Sequence, residues 1–398
     1  MKILNISYSD KFGGAAKSAY RIHKLLNSIK KIKSDMLVVK KLSNDNNIFT
    51  IDSAYLNLMF KFKNYLGILL SKFDNNENPK SYNFFSSPFL QYINNSNYDL
   101  INLHWINAET LSIEDIGKLN KPFIITMHDM WWVCGSENYL EYGDERWKKG
   151  KFKNYFSDYI FSKKKKISPL AIISPSKWLI YCVKNSSLYK TAKLIHIPYP
   201  IDSQIYCPNK KIKSISKFKI NKTNKIKIFF AVFGNSKDKR KGIDLLIKSL
   251  NLIDSNLFEL VIASKNKFDQ SCKFNVRNLD YIDSEKQLSD LYNICDIVVL
   301  PSRLDNLPNV ALEAQSCGKP LIAYNVGGLS DIIINNYNGF LIEPFNHVLF
   351  SKKLQKLIKS KNLRHNFSKN AHKFSKKKWS NNIIKKKYVR ELYNLLCM

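Results

Sequence analysis

The chain has 398 residues, 44% of them hydrophobic and 13% aromatic, with 64 Lys and Arg against 32 Asp and Glu for a formal net charge of +32. This is more chain than one hydrophobic core usually serves, so two domains are expected, and the apolar content excludes a disordered protein. The charge alone does not signal nucleic acid: seven of the basic residues are Arg, the excess of Lys, Asn and Ile reads as codon bias, and no zinc-finger or RNA-binding aromatic pattern accompanies it.

From the N-terminus, apolar β-branched runs alternate with helical patterns: "KILNIS", "SDMLVV", "YDLINLH", "PFIITMH", "LAIIS" and "AKLIHIP". Strands alternating with helices point to parallel βαβ units. "MKILNISYSDKFGG" reads as a strand and turn without a signal-peptide core, and no apolar run approaches the ~18 residues of a membrane span, so a cytoplasmic location is expected. Segment 55–73 is amphipathic and aromatic but interrupted by Lys61 and Lys63. It reads as a core or interfacial helix, with packing in the core expected. The seven cysteines are scattered singly without C-x-x-C pairs, so neither a zinc site nor a disulfide framework is signalled.

A Pro-rich exit, "HIPYPIDSQIYCP", and a basic stretch at 209–227 precede a second alternation: "IKIFFAVFG", "LFELVIAS", "CDIVVLPS", "KPLIAYN" and "GFLIE". The fold class is therefore α/β, with Rossmann-like doubly wound domains over 1–205 and 206–375. A final helix over 376–398, apolar at Ile383, Ile384, Tyr388, Leu392 and Leu395, is expected to pack back on the first domain. Residues 351–398 hold fifteen Lys and Arg against one acid, Glu391. Such a surface suits an anionic membrane leaflet or a phosphate-bearing acceptor, or is simply a solvated face.

Open parallel sheets bind ligands outside the carboxyl ends of their strands, and two such domains facing each other would form a cleft there. The residues just after strands are the candidates. Gly13 and Gly14 follow the first strand, where they let a backbone approach a ligand closely and leave N–H groups free at a helix N-terminus. His104 and Trp105 in "LHWIN" follow another, a Trp face suiting a sugar ring. In "MHDMWWVCGSENY", His128 is placed to hydrogen-bond a hydroxyl or shuttle a proton, and Asp129 to orient it or cap the next turn.

In the second domain, Lys237, Lys239, Arg240 and Lys241 lie between a strand and an amphipathic helix, where they would make a diphosphate site. "PSRLDNLPNVALEAQSCGKP" places Asp305 in a loop and Glu313 inside the helix that follows, with Pro308 expected in the first turn and Asn306 or Leu307 as the cap. The two carboxylates are then separated along the helix axis and address different parts of one ligand. A nucleotide sugar, with hydroxyls at both ends and anions between, fits. Gly327 and Gly328 precede a further helix as another close-approach turn.

At these residues the sequence resembles the retaining glycosyltransferases of family 4, most strongly over 296–343, while "LHWIN", "ITMHDMWWVCGSENY" and "RKGIDLL" resemble a branch associated with exopolysaccharide synthesis. The resemblance implies the GT-B fold, an acceptor-side first domain and a nucleotide-sugar-binding second domain. It implies that Glu313 holds the ribose hydroxyls, that Asp305 with Asn306, Leu307 and Asn309 contacts the donor sugar, and that Arg240 and Lys241 neutralise the diphosphate. Gly13 and Gly14 would approach the donor phosphates, and His128 the transferred sugar. Two departures stand out: Asp305 replaces the usual Glu, and Asn235 the usual Arg.

The function implied is transfer of a hexosyl group from a UDP- or GDP-sugar, with retention, to a saccharide or lipid-linked acceptor in cell-surface polysaccharide or lipopolysaccharide synthesis. No D-x-D occurs in the chain, and no metal or other cofactor is expected beyond the nucleotide-sugar co-substrate. Partners would be that donor, the acceptor and an anionic membrane surface contacted peripherally, not a specific nucleic acid. A nucleotide-sugar epimerase of the same fold, and a non-catalytic binder of nucleotide sugars or anionic polymers, are the competing readings.

Overall fold

The computed structural model describes residues 1–51, 54–72, 80–152, 154–209, 218, 220, 224–232, 238–264, 272–280 and 282–396. The chain divides into two compact units, residues Met1–Pro200 with Ile384–Met398, and Ile201–Ile383. The passage between units comes at 200/201, earlier than the division after 205 read from the sequence. The final helix begins within the second unit and enters the first at Ile384.

The first unit holds strands β1 (Lys2–Ser9), β2 (Lys33–Lys40), β3 (Ile48–Phe49), β4 (Leu100–Leu103), β5 (Phe123–Thr126), β6 (Ala171–Ser174) and β7 (Lys193–His196). They form one sheet in the order β3-β2-β1-β4-β5-β6-β7, every pair parallel. The second holds β8 (Ile226–Val232), β9 (Phe258–Ser264), β10 (Val276–Leu279), β11 (Ile297–Leu300), β12 (Leu321–Tyr324) and β13 (Gly339–Ile342), in the order β10-β9-β8-β11-β12-β13, again all parallel. Because helices cover both faces of a parallel sheet, its strands are apolar throughout. Every residue of β4, β5, β6, β9, β11 and β12 is buried.

In each sheet the strand order reverses beside the unit's first strand, between β1 and β4 and between β8 and β11. Ligands of doubly wound sheets bind at such a switch point. Local signals frame the helices that flank these strands. Ser112 and Asp115 form a reciprocal capping box, and Ser176, Ser284 and Ser360 each accept a backbone N–H at the start of a helix.

Two helices depart from the sequence reading. The helix after β11 runs Asn309–Ser316 with Pro308 as its N-cap and no capping side chain, so Pro308 precedes the first turn instead of lying in it, and neither Asn306 nor Leu307 is the cap. The helix Ala54–Lys72 occupies the segment expected to pack in the core, yet Leu58, Phe62 and Tyr65 on it are exposed while Phe60 is buried.

Ile384, Tyr388, Leu392 and Leu395 of the C-terminal helix (Asn381–Leu396) are buried at helical spacing. Lys385 Nζ donates to the Ser28 carbonyl at 2.6 Å, and Glu391 lies 3.8 Å from Lys193 Nζ, both partners in the first unit.

Candidate functional site

In the second unit three loops meet at the carboxyl ends of β8, β11 and β12. The 3-10 turn Lys239–Lys241 is capped by Asp238, whose side chain accepts from Arg240 N at 3.0 Å. Gly242, with φ +69°, ends the turn against β11's exit: a Cβ there would stand 1.9 Å from the Pro301 carbonyl, so no other residue fits. Arg303 fastens the two loops, donating its N–H to Arg240 O (2.7 Å) and its guanidinium to Lys239 O (2.7 Å) and to both oxygens of Asp244 (2.8 and 2.6 Å).

These connections bring the expected basic pair onto Asp305. Lys241 Nζ lies 2.6 Å and Arg240 Nη1 3.5 Å from Asp305 Oδ2, while Oδ1 accepts the Asn306 N–H at 3.0 Å. Arg240 also donates to the Leu304 carbonyl at 3.1 Å and to Asp238 at 3.0 Å. Burial pushes the Asp305 carboxyl up, but Lys241, Arg240 and the Asn306 N–H outweigh it and hold the group below the usual carboxylate range. An ionised carboxylate is thus kept in a pocket where it is 9% exposed.

Gly327 faces the same loop. Its φ is +54°, a Cβ would lie 2.0 Å from the Asp305 carbonyl, and Gly328 N–H donates to that carbonyl at 3.0 Å. The close approach expected of this glycine pair is therefore made to the Asp305 main chain. Glu313 sits four residues past Asn309, about 6 Å further along the axis. It is buried, and its Oε2 accepts the Tyr292 hydroxyl at 2.8 Å. Burial and then the adjacent carboxylate push the Tyr292 phenol well up. Asn306 and Leu307 are buried and Asn309 is partly buried, so Leu307 offers its main chain and not its side chain. Asn235 and Lys237 lie outside the described residues.

The first unit's candidates stand at the ends of three adjacent strands, β1, β4 and β5. His104 follows β4, and its Nδ1 is 3.0 Å from His128 Nε2, beyond β5; His128 Nδ1 is 2.8 Å from the Tyr199 hydroxyl. On the far side His104 Nε2 lies 3.0 Å from both Asn5 Oδ1 and Asn102 Nδ2, Asn5 Nδ2 donates to Ser34 Oγ (2.8 Å) and Asp35 O (3.0 Å), and Ser34 Oγ meets His23 Nδ1 at 3.0 Å. A buried polar chain thus runs from His128 to His23 through three side chains, His104, Asn5 and Ser34, with Asn102 branching from His104.

A neutral ring has one donor and one acceptor, so the His104–His128 bond couples the two choices. Both rings carry Nε2–H when Asn5 Oδ1 is the acceptor, or both carry Nδ1–H when Asn102 is the donor. Burial keeps all three histidines neutral, lowering His128 to about 3, His104 well below its ordinary value, and His23 to about 4 despite the opposing Asp45. With both its ring nitrogens engaged and its charged form disfavoured, His128 in this state is not poised as a proton shuttle.

Asp129 lies just ahead of the 3-10 turn Trp131–Val133, whose N-cap is Met130, and accepts the Trp131 N–H at 3.0 Å and the Trp105 indole N–H at 3.0 Å. Trp105 packs edge-on against Tyr8 with centroids 6.0 Å apart. Below the same turn, Lys164 Nζ is buried against the carbonyls of Trp131, Cys134 (3.1 Å) and Gly135 (2.8 Å), which lowers it to about 7 through burial. Gly13, at φ +90°, is the N-cap of the helix Gly14–Asn27 and supplies no side-chain cap.

Tyr199, Asn5, Asn102 and Tyr292 were not singled out from sequence. A polar residue inside an apolar run, as in "KILNIS" and "LINL", was the available signal for the two asparagines. Among the described residues no group of three or more His, Cys, Asp or Glu is placed to hold a metal ion.

Residues 212–374 match the family model described as Glycosyl transferases group 1. The match lies within the second unit. An uncharacterized glycosyltransferase of Methanocaldococcus jannaschii is 34% identical over 174 residues, 42% of this chain and 48% of that protein. The capsular polysaccharide biosynthesis glycosyltransferase CapM of Staphylococcus aureus is 32% identical over 165 residues, 39% of this chain and 43% of CapM. The chain thus spans less than half the length of each of these relatives.

Among solved structures, Anabaena HepE in complex with UDP and glucose superposes with a TM-score of 0.69 at 16% identity, covering 99% of both chains. That likeness speaks to fold: two Rossmann-like parallel-sheet units, as in GT-B glycosyltransferases.

Proposed function

We propose that the chain is a retaining glycosyltransferase of family 4 that moves a hexosyl group from a UDP- or GDP-sugar to a saccharide or lipid-linked saccharide acceptor, in bacterial cell-surface polysaccharide or lipopolysaccharide synthesis. The observation that carries this reading is the convergence of Lys241 and Arg240 on Asp305 at the β8/β11 switch point, within the glycosyltransferase group 1 domain. The kinship to CapM supports the pathway class, and the UDP and glucose held by HepE support the donor class.

In this mechanism the donor diphosphate enters beside Lys241 and Arg240 and draws their charge from Asp305, which is released towards the sugar hydroxyls. Glu313, held by Tyr292, receives the ribose hydroxyls. The acceptor oxygen bonds to the anomeric carbon on the face from which the carbon–phosphate oxygen bond breaks. The departing phosphate oxygen takes the acceptor's proton, and the nucleoside diphosphate leaves. Stabilisation of its charge falls to the two cations and to N–H groups at helix starts, with no metal required; one well-aimed donor is worth on the order of 10²–10³ in rate. His128 rests against the transferred sugar as a neutral imidazole. Its place is held by His104 and Tyr199, with Trp105 and Asp129 beside it. Such an enzyme would act in the cytoplasm, at the inner face of the membrane where a lipid-linked acceptor is available.

A thermal-shift panel of UDP, GDP and their sugars tests the donor site. A ligand at 100 times its dissociation constant adds about 2.7 kcal/mol of stability, so one nucleotide series should raise Tm by several degrees. A flat response to every nucleotide would refute the reading.

A further inference from the structure

The loop after β5 lies along the helix Tyr155–Lys164 and is bound to both of its ends. Near the helix start, a Cβ at Gly135 would stand 2.4 Å from the Ser157 carbonyl, Ser136 Oγ meets Ser157 Oγ at 2.6 Å, and Ser157 Oγ donates to Glu137 Oε1 at 2.8 Å. At the helix end, of the four consecutive lysines 163–166 only Lys164 is buried. Its Nζ donates to the carbonyls of Trp131, Cys134 (3.1 Å) and Gly135 (2.8 Å) and lies 3.6 Å from the centroid of the Trp131 ring. A lysine is almost never fully buried unless its charge is matched, and here the matching groups are the main chain of one loop.

Three carbonyl acceptors fix the chemical form of the side chain. An ammonium has three N–H donors and a neutral amine two. The amine would leave one carbonyl facing a lone pair and would lose the attraction of a cation to the indole face. The ionisable groups around Nζ are Cys134, Glu137 and Asp129, with Arg146 facing Cys134 and Glu137, Lys80 bridged to Glu137, and Tyr189 donating to the Trp132 carbonyl at 3.0 Å. Burial keeps Cys134 a thiol and Tyr189 a phenol. It also brings Lys164 down to about 7, against the opposing pull of Glu137 and Asp129. The cation is required by its acceptors and opposed by its burial, so a change of pH about neutrality decides which prevails.

Trp131 carries the consequence to the site. Its carbonyl is held by Lys164 and its N–H by Asp129 Oδ1 at 3.0 Å, while Asp129 Oδ2 accepts the Trp105 indole N–H at 3.0 Å and His128 directly precedes Asp129. We propose that Lys164 is a positioning residue for this face of the site: as an ammonium it pins the Trp131–Gly135 main chain and, through Trp131 and Asp129, sets where Trp105 and His128 stand, and loss of its proton releases them. The proposal rests on the acceptor-side reading of the first unit and gives that side a control by pH.

The test follows the indole N–H signals of Trp131 and Trp105 in the full chain labelled with ¹⁵N-tryptophan, from about pH 5.5 to 8.5 and without substrate. Single Trp→Phe replacements assign them, and Trp379, in the second unit, is the internal reference. Both signals should move together in one transition with a midpoint of about 7, and Lys164→Met should abolish it. Lys164→Arg, charged throughout this range, should also show no transition and serves where Lys164→Met does not fold. Signals that stay fixed in the wild-type protein would overturn the proposal. So would a transition confined to Trp131, because Lys164 would then be a local clamp that does not reach the site, and so would one that persists in the Lys164 variants. The nucleotide-induced shift in Tm is read separately, so loss of the glycosyltransferase reading and loss of the Lys164 clamp give different results.

Discussion

The crevice of the second unit and the polar chain of the first are both buried, but they keep their polar groups in opposite states. At Asp305 two cations and one N–H compensate a carboxylate that stays charged. Between His128 and His23 every group is neutral, and a carbonyl, two amides, a serine and a tyrosine hydroxyl complete the bonding. A buried ion pair is worth little over apolar packing but costs several kcal/mol to break on one side. A neutral chain loses about the value of each bond removed. The first arrangement suits a place where an anion is to be exchanged for another; the second suits holding rings still.

The contrast can be broken at its charged end first. Lys241→Ala leaves Asp305 buried with Arg240 at 3.5 Å as its nearer remaining cation. Glycosyl transfer is expected to fall by about 10²–10³, and urea titration should show a loss of about 3 kcal/mol. Turnover and stability at wild-type levels would mean that the pair has no part in donor binding.

At the neutral end, Asn5→Leu removes the bonds to His104, Ser34 Oγ and the Asp35 carbonyl together, for an expected loss of about 2 kcal/mol. In the wild-type protein, ¹⁵N spectra should show His104 and His128 in the same tautomer. Opposite tautomers would show that the rings are not coupled through the 3.0 Å bond.

Acid sharpens the comparison with the smallest step. Histidines whose folded pKa is depressed take up protons more readily when unfolded. Stability from them is therefore present above the unfolded value of ~6.5 and drains as pH falls towards about 4 for His23 and about 3 for His128. Asp305, also depressed, loses its contribution only below the ordinary carboxylate range. Between pH 7.5 and 5.5 hydrogen-exchange protection factors, referred to the intrinsic rate at each pH, should fall in β1, β4 and β5 by the equivalent of about 1 kcal/mol per histidine, with those of β8 and β11 unchanged. An equal fall in both units would refute the assignment.

Most strands were legible because a parallel sheet covered on both faces makes each strand a continuous apolar run. The two that were missed confirm the rule by exception. β3 is two residues long, and β10, an edge strand, carries Arg277 and Asn278 and is not fully buried. Site residues directly after strands could be named from chain position. Their partners could not: Tyr199 meets His128 across 71 positions, and Lys241 meets Asp305 across 64. Such pairings are set by which strands lie side by side, and local patterning is silent on that. Glycines were legible as special but not as to what they approach, so Gly327 was matched to a ligand although its close neighbour is the Asp305 carbonyl.

The helix Asn381–Leu396 also orders events in time. The first unit comprises residues up to Pro200 and, after the whole of the second, residues from Ile384. During synthesis the second unit's sheet is complete while the first still lacks Ile384, Tyr388, Leu392 and Leu395. Domains tend to finish as they emerge, yet here the unit that starts first is completed last. Until those residues are made, the bed of this helix in the first unit stays uncovered.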